Sequence, residues 1–315
     1  MNRHRTAISV LLATGALLAG ALTAASPSTA AQRPASPGSW SAERMRAATP
    51  LDITAAPGTT ARTAPSTAER PTTIAPTPAG SSLTASPAAF PQPGGAWTSG
   101  GAVVKTSGRV FFTFNGKSAS CSGDSITSAN GSTVITAGHC VKYQGAWHTD
   151  WIFVPGYDNG NAPYGQWTAT KTFATDQWVA SEDMNMDVGL AVVAPLNGRT
   201  LSQAVGAQGI VFNGGYNKKM YAFGFPAAAP YDGTRLVYCS GNTGKDFLLT
   251  KDHSLPCNMT GGSSGGPWFQ DFNEATGLGT QVSVNSFGYT FLPNRMFGPY
   301  FGNEAKAAYD KAQTA

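Results

Sequence analysis

From Trp97 onward the chain breaks into short apolar or alternating runs separated by Gly, Pro, Asn and Asp. They are Val110–Phe114, Thr133–Ala137, Trp151–Val154, Gln166–Phe173, Val188–Val193, Met220–Phe225, Leu236–Tyr238, Phe247–Thr250 and Gln281–Val284. Runs this short and this closely spaced predict the strands of an all-β, antiparallel barrel or sandwich, and sustained 3.6-residue periodicity is nearly absent. The exception is Asn303–Gln313, rich in Ala, Glu and Lys, where Asn303 can cap a terminal helix. Trp147, Trp151, Phe153 and Tyr157 fit barrel core or hairpin packing better than a ligand platform.

The first third has a different texture. Residues 1–30 open with Asn2-Arg3-His4-Arg5, continue through an apolar Ile8–Leu22 stretch and close on small residues, the pattern of a secretory signal. The apolar run is shorter than the roughly 20 residues a bilayer-spanning helix needs. Residues 31–96 are dominated by Pro, Ala, Thr and Ser, and this composition predicts a propeptide or low-complexity linker that buries little surface. Trp40–Ala48 can form a short helix within it, either covering a site before processing or belonging to a disordered spacer. Residues 97–200 and 201–315 remain as two folded halves.

Charge narrows the function class. From Trp97 onward fourteen basic residues face fourteen acidic ones, so the formal net charge of +4 lies wholly in the preceding segment. The folded part offers no net basic footprint for nucleic acid or an anionic membrane. All four cysteines, Cys121, Cys140, Cys239 and Cys257, lie in that part of an exported chain, so disulfides are the expected use. Three connectivities are possible; Cys121 with Cys140 and Cys239 with Cys257 keep both loops local. No Cys-x-x-Cys pair suggests zinc, and no cofactor or metal is expected.

Three motifs carry chemistry, and their order matters. Thr136-Ala137-Gly138-His139-Cys140 places a histidine at a strand end, where it can be held rigidly. Met186-Asp187-Val188-Gly189-Leu190 places an aspartate at the head of an apolar strand, the position a buried carboxylate needs to hold an imidazole tautomer. Asp183 is the nearest competitor, in a polar loop. Gly261-Gly262-Ser263-Ser264-Gly265-Gly266-Pro267 frees a serine hydroxyl for approach by a carbonyl and a base. Its backbone N–H groups, Gly262 and Ser264 foremost, can point at a developing oxyanion.

In that order, TAGHC, DVGL and GSSGGP resemble the trypsin and chymotrypsin family of serine peptidases, over about Trp97 to Tyr300. The resemblance implies two six-stranded antiparallel β-barrels with a cleft between them, and the terminal helix is expected to pack on the second. The resemblance implies His139 as general base, Asp187 as its orienting group and Ser264 as nucleophile, acting by acyl transfer on protein or peptide substrates. Activity would then fall as the imidazole takes up a proton. Cys121 and Cys140 match the family's disulfide beside the histidine. Asn285-Ser286-Phe287-Gly288 is similar to the strand that pairs with substrate, which makes Ser286 and Gly288 substrate contacts. The similarity is strongest to the secreted bacterial branch, working outside the cell as a monomer.

Departures from the pattern also inform. The acid that usually precedes the nucleophile is Ser263 here, and no Ile-Val-Gly-Gly start is present near residue 97. Activation through a freed N-terminal ammonium therefore cannot operate, and removal of the presegment would unmask the site. Asn258 stands where Lys- and Arg-selective members carry an acid, and Asn285 is not the histidine of the glutamyl-specific branch, so a neutral pocket with apolar or broad preference is expected.

Rival schemes fail on order. A lipase-type nucleophile elbow needs a histidine after the serine, yet His4, His139, His148 and His253 all precede Ser264. A subtilisin scheme could recruit Asp124, but Gly265-Gly266-Pro267 is a poor helix start and the βαβ pattern is missing. A protease-like binding module that has lost activity would usually lack a triad member, and none is missing. His148 and His253 sit among polar turn residues and are expected at the surface.

Overall fold

The structure, a computed structural model, describes residues 40–55, 61–80 and 88–315. The signal-like residues 1–30 lie outside the described residues. Among the described residues, three larger sheets dominate.

The first half closes on itself. Strand Lys117–Ile126 pairs with Ser107–Phe114, and the order continues through Thr149–Pro155, Trp167–Ala174, Gly189–Val193 and Thr133–Thr136. Thr133–Thr136 then returns to Lys117–Ile126, which completes a six-stranded antiparallel barrel. Val110, Phe112, Ile135, Phe153 and Leu190 fill its interior. Lys117–Ile126 gives no apolar run in the sequence, because seven of its ten residues are Lys, Ser, Cys or Asp; nevertheless residues 119–126 are all buried. The strand lies between two ladders, and buried partners satisfy its hydroxyls, as where Ser125 Oγ donates to Gly206 O.

The second half consists of two sheets. One runs Gly209–Phe212, Leu278–Val284, Pro267–Asn273, Lys219–Gly224 and Val237–Asn242; the other contains His253–Pro256, Leu292–Gly298 and Phe287–Tyr289. Met220, Cys239, Leu255, Cys257, Trp268 and Val282 form the core between them. Together the halves give the all-β double-barrel architecture. Disulfides join Cys121 to Cys140 and Cys239 to Cys257, one in each half.

Several local expectations are corrected. Phe247–Thr250 is not a strand: the Asp246 carboxylate accepts from the Leu248 and Thr250 N–H groups and curls the chain into a turn, leaving Phe247 81% exposed. Trp147 is exposed, whereas Trp151, Phe153 and Tyr157 are core. The terminal helix spans Asn303–Gln313, but its N-cap is Gly302, since Asn303 Oδ1 accepts from Asn213 instead. That helix packs chiefly on the first barrel: Tyr309 donates to Thr127 O, Asn130 Nδ2 donates to Ala312 O, and Ala305, Ala308 and Ala312 join the first core. His253 lies in a strand, 1% exposed and 5.6 Å from the Tyr300 ring, and burial pushes its imidazole down to about 3.

The presegment departs furthest from its composition. Ser41 caps helix Ala42–Ala47 by accepting from Arg44 N–H. Trp40, 1% exposed, donates from its indole to Asp150 O, and the Arg44 guanidinium stacks 3.5 Å above its ring. Burying such a side chain stabilises by on the order of 3 kcal/mol. Beyond it, Thr49–Pro50 adds to the first barrel, Ile53–Ala55 to Phe287–Tyr289, Thr72–Ile74 to Gly209–Phe212, and Gln92–Ala96 to Val237–Asn242. A low-complexity stretch thus buries surface by strand addition to existing edges, which needs few apolar side chains.

Candidate active site

Strand register brings His139 and Asp187 together. Thr136, the last residue of its strand, stands opposite Gly189, the first of the next. The turn Gly138–Cys140 after one and Asp187 just before the other therefore meet at one end of the barrel. A side chain at Gly189 would collide with Ala137 O and come within 2.9 Å of Val141, so glycine is needed there for the approach. Both residues are fully buried. The Asp187 carboxylate accepts from the His139 backbone N–H at 2.8 Å and pairs with Nδ1 at 2.7 Å. It also accepts from Ser286 Oγ at 2.5 Å. Because a carboxylate only accepts, the neutral imidazole carries its proton on Nδ1 toward Asp187, which leaves the ring's lone pair on Nε2.

His148, expected at the surface, supports this turn from beneath. Its ring stacks on Phe112 with centroids 4.3 Å apart, and Nε2 donates to His139 O at 2.8 Å. Burial pushes its imidazole down to about 4, so it is a neutral donor at physiological pH.

The Ser264 loop reaches the same place from the second half. Ser122 N–H donates to Ser264 O at 2.7 Å, while Ser122 Oγ donates to Gly262 O and accepts from Phe225 N–H. Gly262 and Gly265 have φ of +93° and +82°, the left-handed region that glycine enters without strain. A Cβ on Gly265 would lie 2.8 Å from Ala137 N, so the loop packs directly on the turn that carries His139. Among the described residues, none partners the buried His139 Nε2.

Asn285, at the head of the segment expected to pair with substrate and not the histidine of the glutamyl-specific branch, organises this loop. Its Nδ2 donates to both Phe223 O and Ser263 O, and its Oδ1 accepts from Trp268 Nε1. Its backbone exchanges hydrogen bonds with Gly265 and Gly266. Ser263, in place of the usual acid, donates to Thr260 O. Neutral hydrogen bonds thus hold the loop where an ion pair was ruled out.

The expected substrate contacts divide. Ser286 is buried, with its hydroxyl on Asp187 and its N–H on Phe297 O, so its side chain serves the aspartate. Asn258 lines a cavity with Met259, Thr260 and Gly288, and Tyr231 Oη donates to its carboxamide oxygen. Among the described residues lining that cavity, Asp52 of the presegment alone carries a carboxylate, and Arg295, absent from the sequence reading, contributes to the wall. Gly288 stands opposite Thr54, and Leu51 O accepts from Gly262 N–H at 3.4 Å.

No family model matches the chain. Among solved structures, the protease Anisep from Arthrobacter nicotinovorans is 44% identical, covers 68% of this chain and 98% of its own, and superposes with a TM-score of 0.64. The chain belongs to the chymotrypsin-like serine protease family. A thermostable serine protease, AL20, from an extremophilic microorganism is 41% identical over 68% of this chain and 99% of its own, with a TM-score of 0.64. Among curated proteins, an extracellular metalloprotease of Bacillus subtilis (strain 168) is 38% identical over 61 residues; that match spans 19% of this chain and 20% of the relative. The protein is therefore a serine-type peptidase with the double-barrel fold, acting on protein or peptide substrates.

Proposed function

We propose that the protein is a secreted serine endopeptidase whose triad is His139, Asp187 and Ser264, working as a monomer outside the cell without a cofactor. Supporting this is the two-point grip of Asp187 on His139, at 2.7 and 2.8 Å, in a fully buried setting against the Ser264 loop. In the cycle, Ser264 Oγ attacks the substrate carbonyl carbon as His139 Nε2 takes its proton. The oxyanion is held by the Gly262 and Ser264 N–H groups. Collapse breaks the C–N bond, and His139 passes its proton to the leaving amine. Water then attacks the ester by the same route and restores Ser264. Residues 97–200 and 201–315 supply the two barrels, residues 31–96 form a propeptide, and its removal exposes the cleft.

A fluorophosphonate probe tests the assignment on processed protein. Labelling at Ser264, lost in Ser264→Ala together with peptide hydrolysis, is expected. A Ser264→Ala enzyme that still cleaves at the wild-type rate would overturn it.

A further inference from the structure

We infer that the cleft edge Phe287–Tyr289 is a binding site for an extended peptide running parallel to it, and that Leu51–Ala55 of this chain occupies it as an inhibitor the enzyme does not cleave. The inference rests on the catalytic assignment above and adds the identity, polarity and fate of the bound segment.

The segment threads from one half to the other. Thr49 and Pro50 pair in parallel with Ala119 and Ser120, and Leu51 N–H donates to Ser120 O at 2.9 Å. Ile53, Thr54 and Ala55 then pair in parallel with Phe287, Gly288 and Tyr289, and Ala55 O accepts from Thr290 N–H at 3.2 Å. Ile53 and Ala55 are buried and Thr54 faces out, the alternation of a strand docked on one face. Between the two ladders lies Asp52, whose Cβ would stand 2.9 Å from a Cβ placed on Gly261. Burial pushes its carboxyl up, and the nearby His139 opposes that shift.

Chain polarity decides whether such a ligand can react. The leaving nitrogen must lie on the His139 side of the carbonyl held in the oxyanion hole, because that imidazole returns the proton. Reversing the chain keeps a carbonyl at the hole and moves its nitrogen to the other side. Leu51 O sits 3.4 Å from Gly262 N, whereas an oxyanion donor works at about 2.7–3.1 Å. The contact therefore caps the hole without preparing Leu51 for attack. Anchors on both sides hold the segment: Trp40 is buried upstream, and downstream the Asp183 carboxylate accepts from Arg62 and Thr63 N–H.

The test uses the full chain. Ile53→Asp and Ala55→Arg place charge at two buried positions of the segment, and melting curves establish that each variant folds. Initial rates on a quenched-fluorescent casein are compared among chains shown intact by mass spectrometry. Both variants should hydrolyse it at least about tenfold faster than intact wild type. A synthetic peptide of residues 40–55, added to Ile53→Asp, should inhibit competitively and be recovered uncut. Cleavage of that peptide at Leu51–Asp52, or variants no faster than wild type although the fluorophosphonate labels Ser264 in each, would overturn the inference and leave the triad standing. Folded variants that neither hydrolyse casein nor take the label would instead defeat the triad assignment, and the inhibitor with it.

Discussion

The two halves of the molecule hold their share of the site by different physical means. In the first barrel, His139 and Asp187 meet because Thr136 and Gly189 are register partners in a closed ladder. In the second half, Ser264 lies in a glycine-rich loop outside any ladder, and a few side chains, Ser122 and Asn285 above all, fix its course. Geometry built by register is shared among many backbone hydrogen bonds and tolerates the loss of one side chain. Geometry built by a loop depends on single carboxamides and hydroxyls whose removal leaves buried partners unsatisfied.

Substitutions can sharpen or break that contrast. Asp187→Asn should leave the barrel folded and lower kcat by about 10⁴-fold, because the imidazole would then be held in the wrong tautomer. An unchanged melting temperature alongside that loss would show that register, not the carboxylate, holds the backbone. Asn285→Ala attacks the loop and should cost kcat on the order of 10²-fold, through displaced oxyanion donors, and also about 2 kcal/mol of stability. If activity survives Asn285→Ala while stability falls, the loop is held by its backbone and the contrast fails. Ser286→Ala, which removes one of three hydrogen bonds to Asp187, should cost kcat only about tenfold.

Stability against pH gives the smallest effect. Burial pushes the Asp124 carboxyl up from 3.8 to about 8, so the folded protein keeps a proton that the unfolded chain releases. That contribution is present below about pH 4 and is lost as pH rises to about 8. His148 and His253 act from the other side. Their folded values are lowered from 6.5 to about 4 and about 3, so their contribution is present above about pH 6.5 and fades as pH falls toward those values. Asp124→Asn should therefore raise the melting temperature at pH 8 by about 3 °C or more and change it little at pH 4, as measured by calorimetry across that range. A gain of equal size at both pH values would contradict a buried, protonated Asp124.

Most of the barrel strands and the terminal helix were legible as short runs between turn residues, because a strand with one buried face writes its alternation into neighbouring positions. Phe247–Thr250 misled by the same logic, since an apolar run cannot reveal that one carboxylate bends it into a turn. Lys117–Ile126 was missed for the converse reason: closure of the barrel buries its serines and satisfies them with distant partners.

The order of histidine, aspartate and serine, their setting at strand ends and in a glycine loop, and the local cysteine spacing were all written in the chain, because each depends on residues within a few positions of one another. What the tertiary structure alone decided depends on partners far away in sequence. Asn285 holds the loop through Phe223, Ser263 and Trp268, and His148 is buried against Phe112 beneath the His139 turn. The strands Thr49–Pro50, Ile53–Ala55 and Thr72–Ile74 of a Pro- and Thr-rich presegment form because neighbouring strands supply the hydrogen bonds that its own side chains do not.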